Sequence, residues 1–556
     1  MNEKLREDAY RYAIRNAAQH QGKADLNALI GKIMALHKDV DLIKAMPLLK
    51  AIVEDVNALS EKEIQQEFQR FEKGYELKIP EKKVGLKDLE WAEKEEVVTR
   101  YAPNPSAPMH LGHSRPAILS YLYAKKYNGK FILRFDDTDP KVKQPLAEGE
   151  QLFIEDLSWL NAKPDMAVRA SDRLDIYHSY MRQLLEKGHA YVCTCDQEKW
   201  KEQTLQKKAC LCRDKKPQEH AERFNKMLHH EYKQEEAVLR IKTDLNASDP
   251  AERDWWAAKV VDKPKHYRVK DVFVWPSYNF ASAIDDHLLG ITLIIRGQEH
   301  ASNVKKQKWV YTHFGWVYPH SFHHGRLMIK GAELSKSKIL EGIKNKQYSG
   351  WDDPRLYTLQ SLRRRGFQPE AIQTLIIELG VKTSDTLLSE ELLAQFNRDY
   401  LQEKGNYGVY TYVEEPVQLS VGFCPTVEAE QAGRVRELAQ GNQVFFVSKK
   451  DVKNLKKDEV VKLKGAYNIR VNSINEFQAD AAYVSSTKLE NKPMLHWILE
   501  GSDVEITLND NRKRYGLCDS EIREEKEGRM VFLEGLGFCR VDYVNEKRVG
   551  LWFTHA

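Results

Sequence analysis

Residues 100–139, RYAPNPSAPMHLGHSRPAILSYLYAKKYNGKFILRFDDTD, alternate structural signals in an order that few folds can satisfy. Val97, Val98 and Tyr101 favour a strand. Three prolines between Pro103 and Pro108 stop that strand and stiffen a loop. A helix is predicted from about Met109 to Tyr127, with Gly129 just beyond it as a stop signal. The next run, KFILRF, is short, apolar and β-prone, and it ends on paired carboxylates. Two strands joined by one helix most readily make a right-handed parallel unit, in which ligands gather at the carboxyl ends of the strands. At that end stand Arg100, Asn104, His110, His113, Asp136 and Asp137. His110 and His113, three apart, are expected on one face of the first helical turn. Free backbone N–H groups and a partial positive charge make such a helix end a seat for phosphate. Imidazoles there can donate to phosphoryl oxygens as their charge grows, and Gly112 allows close approach of a ligand. Taken alone, the pair serves equally as a surface or metal-binding pair. Neither glycine-rich phosphate-loop signature occurs in this unit, so a nucleotide would be held differently.

The chain has 556 residues, long enough for several domains of about 100–200 residues each. Hydrophobic residues make up 42%, enough for packed cores, and 30% are charged. The 86 basic and 82 acidic side chains leave a formal net charge of only +4, which does not announce a nucleic-acid binder, although a basic face can hide in a balanced total. No apolar run approaches the ~18 residues of a membrane span. The first residues, MNEKLRED, lack the apolar core of a signal peptide. Seven cysteines in so long a chain are no disulfide framework. A cytoplasmic enzyme without a membrane partner is expected.

Residues 1–90 read as helical, from the spacing of Leu26, Leu29, Ile30, Ile33 and Leu36 and a charged amphipathic run at 61–71. Pro80 and Gly85 mark a linker. Helices are expected at 146–160 and 173–187. Cys193 and Cys195, then Cys210 and Cys212, form two close pairs that could hold a tetrahedral zinc, or could equally be four reduced surface thiols. WPSYNFASAIDD (275–286) leads into ITLIIRGQEH (291–300), a buried-strand pattern ending in Arg296. Helical periodicity runs from 369 to about 404. From Tyr407 onward short β-rich runs alternate with turns, as in antiparallel β-barrels. Lys449, Lys450, Lys453, Lys456 and Lys457 could steer phosphate or form a solvated basic patch.

Arg100-Tyr-Ala-Pro-Asn-Pro followed by His110-Leu-Gly-His113 resembles the HIGH segment of class I aminoacyl-tRNA synthetases. Arg134-Phe-Asp-Asp-Thr-Asp139 narrows the likeness to the glutamyl and glutaminyl members. Glu333-Leu-Ser-Lys-Ser337 resembles the KMSKS signature, with the first lysine and the methionine replaced. The 350–366 run, GWDDPRLYTLQSLRRRG, resembles the segment that follows it in archaeal and eukaryotic glutamyl enzymes and in glutaminyl enzymes. The resemblance spans about residues 96–556.

The resemblance implies an α/β protein. Its parts would be a helical extension (1–90), a class I Rossmann-like catalytic domain with a parallel sheet (91–190 and 256–345), an insertion for the tRNA acceptor end with a candidate zinc knuckle (191–255), a helical connecting subdomain (346–405) and β-barrels that read the anticodon (406–556). The implied activity is ATP-dependent activation of L-glutamate and its transfer to tRNA(Glu), with tRNA(Gln) as a further candidate. A glutaminyl enzyme, a tRNA-modifying paralogue and an inactive tRNA-binding relative are the alternatives. His110, Gly112, His113, Arg326, Leu327 and Lys336 match positions around ATP and its magnesium, with His110, His113 and Lys336 catalytic. Arg100, Asn104, Asp136, Tyr278, Ser282, Arg296 and His300 match positions around glutamate. A guanidinium can hold a γ-carboxylate with two parallel hydrogen bonds, whereas an amide offers no compensating charge, so Arg296 favours glutamate over glutamine. Arg363, Arg364 and Arg365 could touch phosphates or form a solvated face. A monomer is expected.

Overall fold

The structure, a computed structural model, describes residues 3–19, 22–37, 40–72, 85–475, 477–487, 489 and 492–556; Pro80 of the expected linker lies outside them. The chain divides into two units, Met1–Val84 and Gly85–Ala556. In the first, helices α1 (Glu3–Gln19), α2 (Leu26–Leu36), α3 (Leu42–Asn57) and α4 (Glu61–Glu72) bury a core that includes Leu5, Ile14, Leu29, Ile33, Leu49, Ile52 and Ile64. Asp25 caps α2 by accepting from the Ala28 N–H at 2.7 Å, which satisfies one of the free donors at a helix start. The alanine face of α1 (Ala9, Ala13, Ala17) is fully buried as well. Its small side chains give little hydrophobic periodicity, so the sequence pattern is clear only from Leu26 onward.

The second unit is built on strand β1 (Val98–Tyr101), buried at all four positions. The chain continues through α5 (Leu111–Lys126), β2 (Lys130–Phe135), α6 (Gly149–Trp159), β3 (Met166–Arg169) and α7 (Leu174–Glu186). An insertion follows with β4 (Ala190–Cys193), α8 (Gln197–Leu205), α9 (Pro217–Leu228), β5 (Val238–Ile241), β6 (Trp255–Val260) and β7 (Val274–Pro276), whose four strands pair antiparallel in sequence order. The chain then returns through α10 (Tyr278–Leu288), β8 (Leu293–Gly297), α11 (Ala301–Phe314) and β9 (His320–His324). The central sheet has the order β3-β2-β1-β8-β9 with every pair parallel. The order reverses between β1 and β8, which is where doubly wound sheets open a ligand crevice.

Next come β10 (Leu327–Ile329), α12 (Lys336–Lys344), α13 (Leu359–Arg365), α14 (Pro369–Leu379), β11 (Thr386–Leu388) and α15 (Glu390–Lys404). The helical run expected from 369 to 404 is therefore two helices. The break follows Gly380, whose φ of 55° ends α14, and β11 pairs in parallel with β10. That pairing is tertiary, so no local period announces it. The C-terminal β-rich region is barrel-like, as expected. Six strands, from Gly408–Glu414 to Val549–His555, close a barrel. A seven-stranded sheet is inserted in sequence between the first of these strands and the other five, and parallel pairs such as 408–411 with 531–534 supplement the antiparallel ones. Among the described residues no helix is long and apolar enough to cross a membrane.

Two arginines of the 363–365 run join the helical segment to the barrel. Arg364 pairs with Asp352 and, at 3.1 Å, with Asp542 of the barrel, and its guanidinium lies 4.1 Å from the Trp552 ring centroid. Arg365 is buried, bonded to Glu390, and its carbonyl accepts from Thr554. Only Arg363 is exposed, so two of the three candidate phosphate contacts are structural.

The turn from α5 into β2 depends on Gly129, where a side-chain Cβ would lie 1.8 Å from the Val97 carbonyl oxygen. Lys130 N–H donates to that same carbonyl at 3.1 Å, so the clash cannot be relieved without losing a strand-end hydrogen bond. Gly129→Ala is expected to destabilise the second unit by about 1–3 kcal/mol or more, read as a lower urea midpoint for the loss of near-ultraviolet circular dichroism.

Candidate active site

Arg100 and Arg134 lie inside β1 and β2, where a charged guanidinium is tolerated only with partners. Helix α10 supplies them. Asp286 accepts from Arg100 Nε at 3.1 Å and from Arg134 Nη1 at 2.7 Å. Arg134 also donates to Asp136 Oδ1 and to Ser282 Oγ, each at 2.8 Å. Next to Asp286, Asp285 takes Arg173 at 2.7 Å and the Tyr177 hydroxyl at 2.6 Å. Burial opposes ionisation of Asp286, but Arg100 and Arg134 outweigh it and hold the carboxyl below its ordinary range. For Asp136 burial dominates over Arg134 and the pKa is raised. Arg100, Asp136 and Ser282, expected around the amino acid, are thus tied to one another through Arg134 and Asp286.

Arg296 is different. It stands near the carboxyl end of β8, next to His323 of β9, and is 4% exposed. Its Nη1 donates to Gln307 at 3.1 Å and its Nη2 to the Tyr318 hydroxyl at 3.0 Å, while Nε is buried without a partner. Among the described residues no carboxylate lies within ion-pair distance of it. A buried charge with only neutral partners is costly. Nearby, the rings of Tyr278 and His300 stand 5.8 Å apart. Burial lowers the pKa of His300, with a smaller opposing contribution from Glu299 and further lowering by Arg296 and Arg100. Asn104 spends its amide hydrogens on the carbonyls of Asp136 (3.0 Å) and Lys143 (3.1 Å), and its Oδ1 is a buried acceptor without a donor.

His110 is not in the first turn of α5 but is its N-cap, corrected from the expected start at Met109. Its Nδ1 accepts from Gly112 N–H at 3.0 Å, and His113 Nδ1 accepts from His110 N–H at 3.4 Å. Accepting at Nδ1 leaves the proton on Nε2 in each neutral ring. Neither Nε2 has a partner among the described residues. The rings stack at 3.7 Å. Gly112 carries no side chain because a Cβ would meet the His110 ring at 2.9 Å and the Leu327 carbonyl at 3.4 Å; the 327 strand thus passes close over the HIGH turn. From the other side, Leu111 N–H donates to Tyr357 O at 3.0 Å and Leu359 N–H to Met109 O at 2.9 Å. Arg326 is exposed, its backbone N–H held by Asp385 at 2.8 Å. Lys336 opens helix α12, and burial lowers its pKa. Glu333, standing where the KMSKS pattern has lysine, accepts from Ser335 N–H at 2.7 Å and pairs with Lys338 at 3.0 Å.

The four cysteines of the insertion converge. Sγ of Cys193, Cys195 and Cys210 lie within 4.8 Å of one another. Cys193 is 3.8 Å from Cys210, and Cys195 is 3.7 Å from Cys212. Four sulfurs each about 2.3 Å from one zinc would stand roughly 3.8 Å apart; the Cys193–Cys210 and Cys195–Cys212 pairs have that spacing, while Cys212 stands outside the mutually close group of three. Arg223 donates to Cys212 Sγ at 3.3 Å. In the C-terminal sheet, Lys449 and Lys453 line a cavity of about 290 Å³ with Val452, Ile474 and Asn475.

Several supporting residues carry no local sequence signal. Gln307 and Tyr318 orient Arg296, Asp286 pairs two arginines, and Arg115 of α5 holds the carbonyls of Gly325 (2.9 Å) and Gly380 (2.8 Å). Arg134 alone left a clue, as a charge in the middle of an apolar strand pattern that must find a buried partner.

With this geometry in place, comparison with known proteins is specific. Residues 96–403 match the family described as tRNA synthetases class I (E and Q), catalytic domain. The chain is 42% identical over 569 residues to a glutamate–tRNA ligase of Pyrococcus furiosus, covering 98% of this chain and 99% of that protein. It is 43% identical over 578 residues to one of Thermococcus kodakarensis, covering all of both. Among solved structures, a glutamate tRNA ligase from Elizabethkingia meningosepticum in complex with its amino acid aligns with a TM-score of 0.39 at 24% identity, over 56% of this chain and 71% of that one.

Burial lowers the His110 pKa to about 4, and burial together with His110 lowers that of His113. Both rings are therefore neutral near pH 7. Since their folded-state pKa lies below the unfolded value of about 6.5, their contribution to stability is complete above pH ~6.5 and is lost as pH falls towards 4. The ring Cε1 resonances of His110 and His113 should show no titration between pH 6 and 8, and an inflection in that window would contradict the buried cap.

Proposed function

We infer, from a chain that belongs to the class I tRNA synthetases for glutamate and glutamine, that it ligates glutamate to tRNA. ATP is the energy source. The ionised α-carboxylate of glutamate attacks the α-phosphorus of ATP, pyrophosphate leaves, and the terminal adenosine of the tRNA then attacks the glutamyl-adenylate carbonyl, through its 2′-hydroxyl on the class pattern, releasing AMP. A carboxylate that is already ionised needs no general base, so the burden falls on positioning and charge stabilisation. The neutral Nε2–H donors of His110 and His113 suit oxygens whose charge grows as the bond to pyrophosphate breaks. Lys336, at the start of α12, supplies a cation for the same oxygens, with magnesium accompanying ATP. Gly112, Arg326 and Leu327 line the nucleotide side.

One observation carries the choice of amino acid. Arg296 is buried with two neutral partners and no carboxylate, so a γ-carboxylate would complete its charge balance and a γ-amide would not. Gln307 and Tyr318 hold the fork for that contact. Arg100, kept charged by Asp286, together with Asp136, Tyr278, Ser282 and His300, forms the wall, and the free Oδ1 of Asn104 suits the substrate ammonium. The preferred partner is tRNA(Glu); charging of tRNA(Gln) by the same site is the finer question, and a monomer in the cytoplasm suits the reading. The insertion would hold one structural zinc through Cys193, Cys195, Cys210 and Cys212, tying the end of β4 to the segment between α8 and α9.

Three measurements test this. Purified protein with labelled glutamate, ATP and separate tRNA(Glu) and tRNA(Gln) transcripts should charge the first. Arg296→Cys should lower glutamate kcat/KM by about 100-fold or more and erase the preference over glutamine; unchanged preference would refute the assignment. Elemental analysis should find one zinc per chain, lost in Cys210→Ser with a lower melting temperature, whereas a metal-free protein of equal stability would remove the zinc site.

A further inference from the structure

Replacement of the first KMSKS lysine by Glu333 leaves the phosphate side short of one cation, and Glu333 does not stay free to repel the substrate. It is neutralised locally, by Ser335 N–H and Lys338. Another cation is held nearby. The 139–146 loop is stapled to the loop that follows β1. Asn104 Nδ2 binds the Lys143 carbonyl at 3.1 Å, and Leu146 N–H donates to Pro105 O at 2.9 Å. A Cβ at Gly149 would lie 2.1 Å from that Pro105 carbonyl, so the approach demands glycine. Asp139 Oδ1 turns the loop by accepting from the N–H groups of Lys141 (3.1 Å) and Val142 (2.9 Å), and Lys265 N–H donates to Pro140 O at 2.9 Å. Lys143 is therefore presented at the carboxyl ends of β1 and β2 by a fixed loop.

We propose that Lys143 is a second phosphate-contacting cation of the ATP site, acting beside Lys336 in place of the lysine that Glu333 has replaced. Its position fits both halves of the site. After burial, the Lys143 charge lowers the pKa of Lys336, and it adds to the lowering of His300 behind burial, Arg296 and Arg100, so this lysine lies within electrostatic reach of both. Among the described residues neither Lys143 nor Lys336 has a carboxylate within ion-pair distance. Like charges gathered without a counter-ion repel, and a bound polyphosphate relieves that repulsion. The interaction strengthens as charge shifts to the leaving pyrophosphate, so it belongs to the activation step.

This rests on the glutamate–tRNA ligase reading, and the test separates the two. ATP–pyrophosphate exchange is measured with tRNA present, alongside tRNA charging, for the wild type, Lys143→Ala, Lys143→Arg and the neighbouring Lys141→Ala. Lys143→Ala should lose roughly 10- to 100-fold in kcat/KM for ATP, with KM for glutamate and tRNA within about twofold. Lys143→Arg should recover most of the loss and Lys141→Ala should match the wild type. Glu333→Lys in the Lys143→Ala background should restore part of the ATP effect, a rescue that a merely structural loop residue would not show. Unchanged ATP kinetics in Lys143→Ala, or a loss confined to KM for tRNA, overturns the proposal while leaving the ligase reading intact. A wild type that charges no tRNA overturns the reading itself.

Discussion

The catalytic half of this protein is organised by one buried ionic network, in which Asp286 holds Arg100 and Arg134 together. Removing one partner from such a buried pair typically costs about 3–5 kcal/mol, because the remaining charge is left in a low-dielectric interior. The partners come from β1, β2 and α10, so the network can form only when the sheet and the returning helix are in their final arrangement. Asp136 and Ser282 join it through Arg134. The result is a rigid, charged floor beneath the crevice between β1 and β8. Arg100 is paired within this network, whereas the guanidinium of Arg296 has only Gln307 and Tyr318 as hydrogen-bond partners among the described residues.

A second constraint works on the backbone. The HIGH turn is clamped from both sides: Tyr357 and Leu359 exchange hydrogen bonds with Leu111 and Met109, and Asp156 accepts from Met109 N–H at 3.1 Å. Burial raises the Asp156 pKa to about 7, against the lowering effect of that N–H and of Arg363. The same segment that clamps the turn continues into Arg364 and Arg365, which fasten it to Asp542 and Thr554 of the C-terminal barrel. The histidine turn and the barrel are thus separated by fewer than ten residues of bonded chain.

How much of this could be read in the chain differs from feature to feature. The strand–helix–strand unit was legible because prolines, Gly129 and the apolar KFILRF run are local punctuation. The helix was placed two residues early because His110 acts as a cap through its ring, a role that Ser, Thr, Asn or Asp more often signals. The break in the 369–404 helical run was hidden because β11 is held by its pairing with β10. Arg364 and Arg365 looked like phosphate contacts because an arginine run carries no mark of whether it faces solvent or a neighbouring barrel.

The sequence by itself determined the residue types, their spacing and hence the chemistry: two histidines at a helix start, a carboxylate pair after a strand, an arginine at the end of a second strand, and a lysine between two serines. Tertiary structure alone decided which of those charges remain available. Arg100 and Asp286 are separated by 186 positions in sequence, and no local pattern shows that one neutralises the other. The same holds for Gln307 and Tyr318 holding the Arg296 guanidinium, and for Lys143 lying within electrostatic reach of Lys336. Local periodicity encodes secondary structure. The balance of buried charge is a long-range quantity and exists only once the sheet has closed.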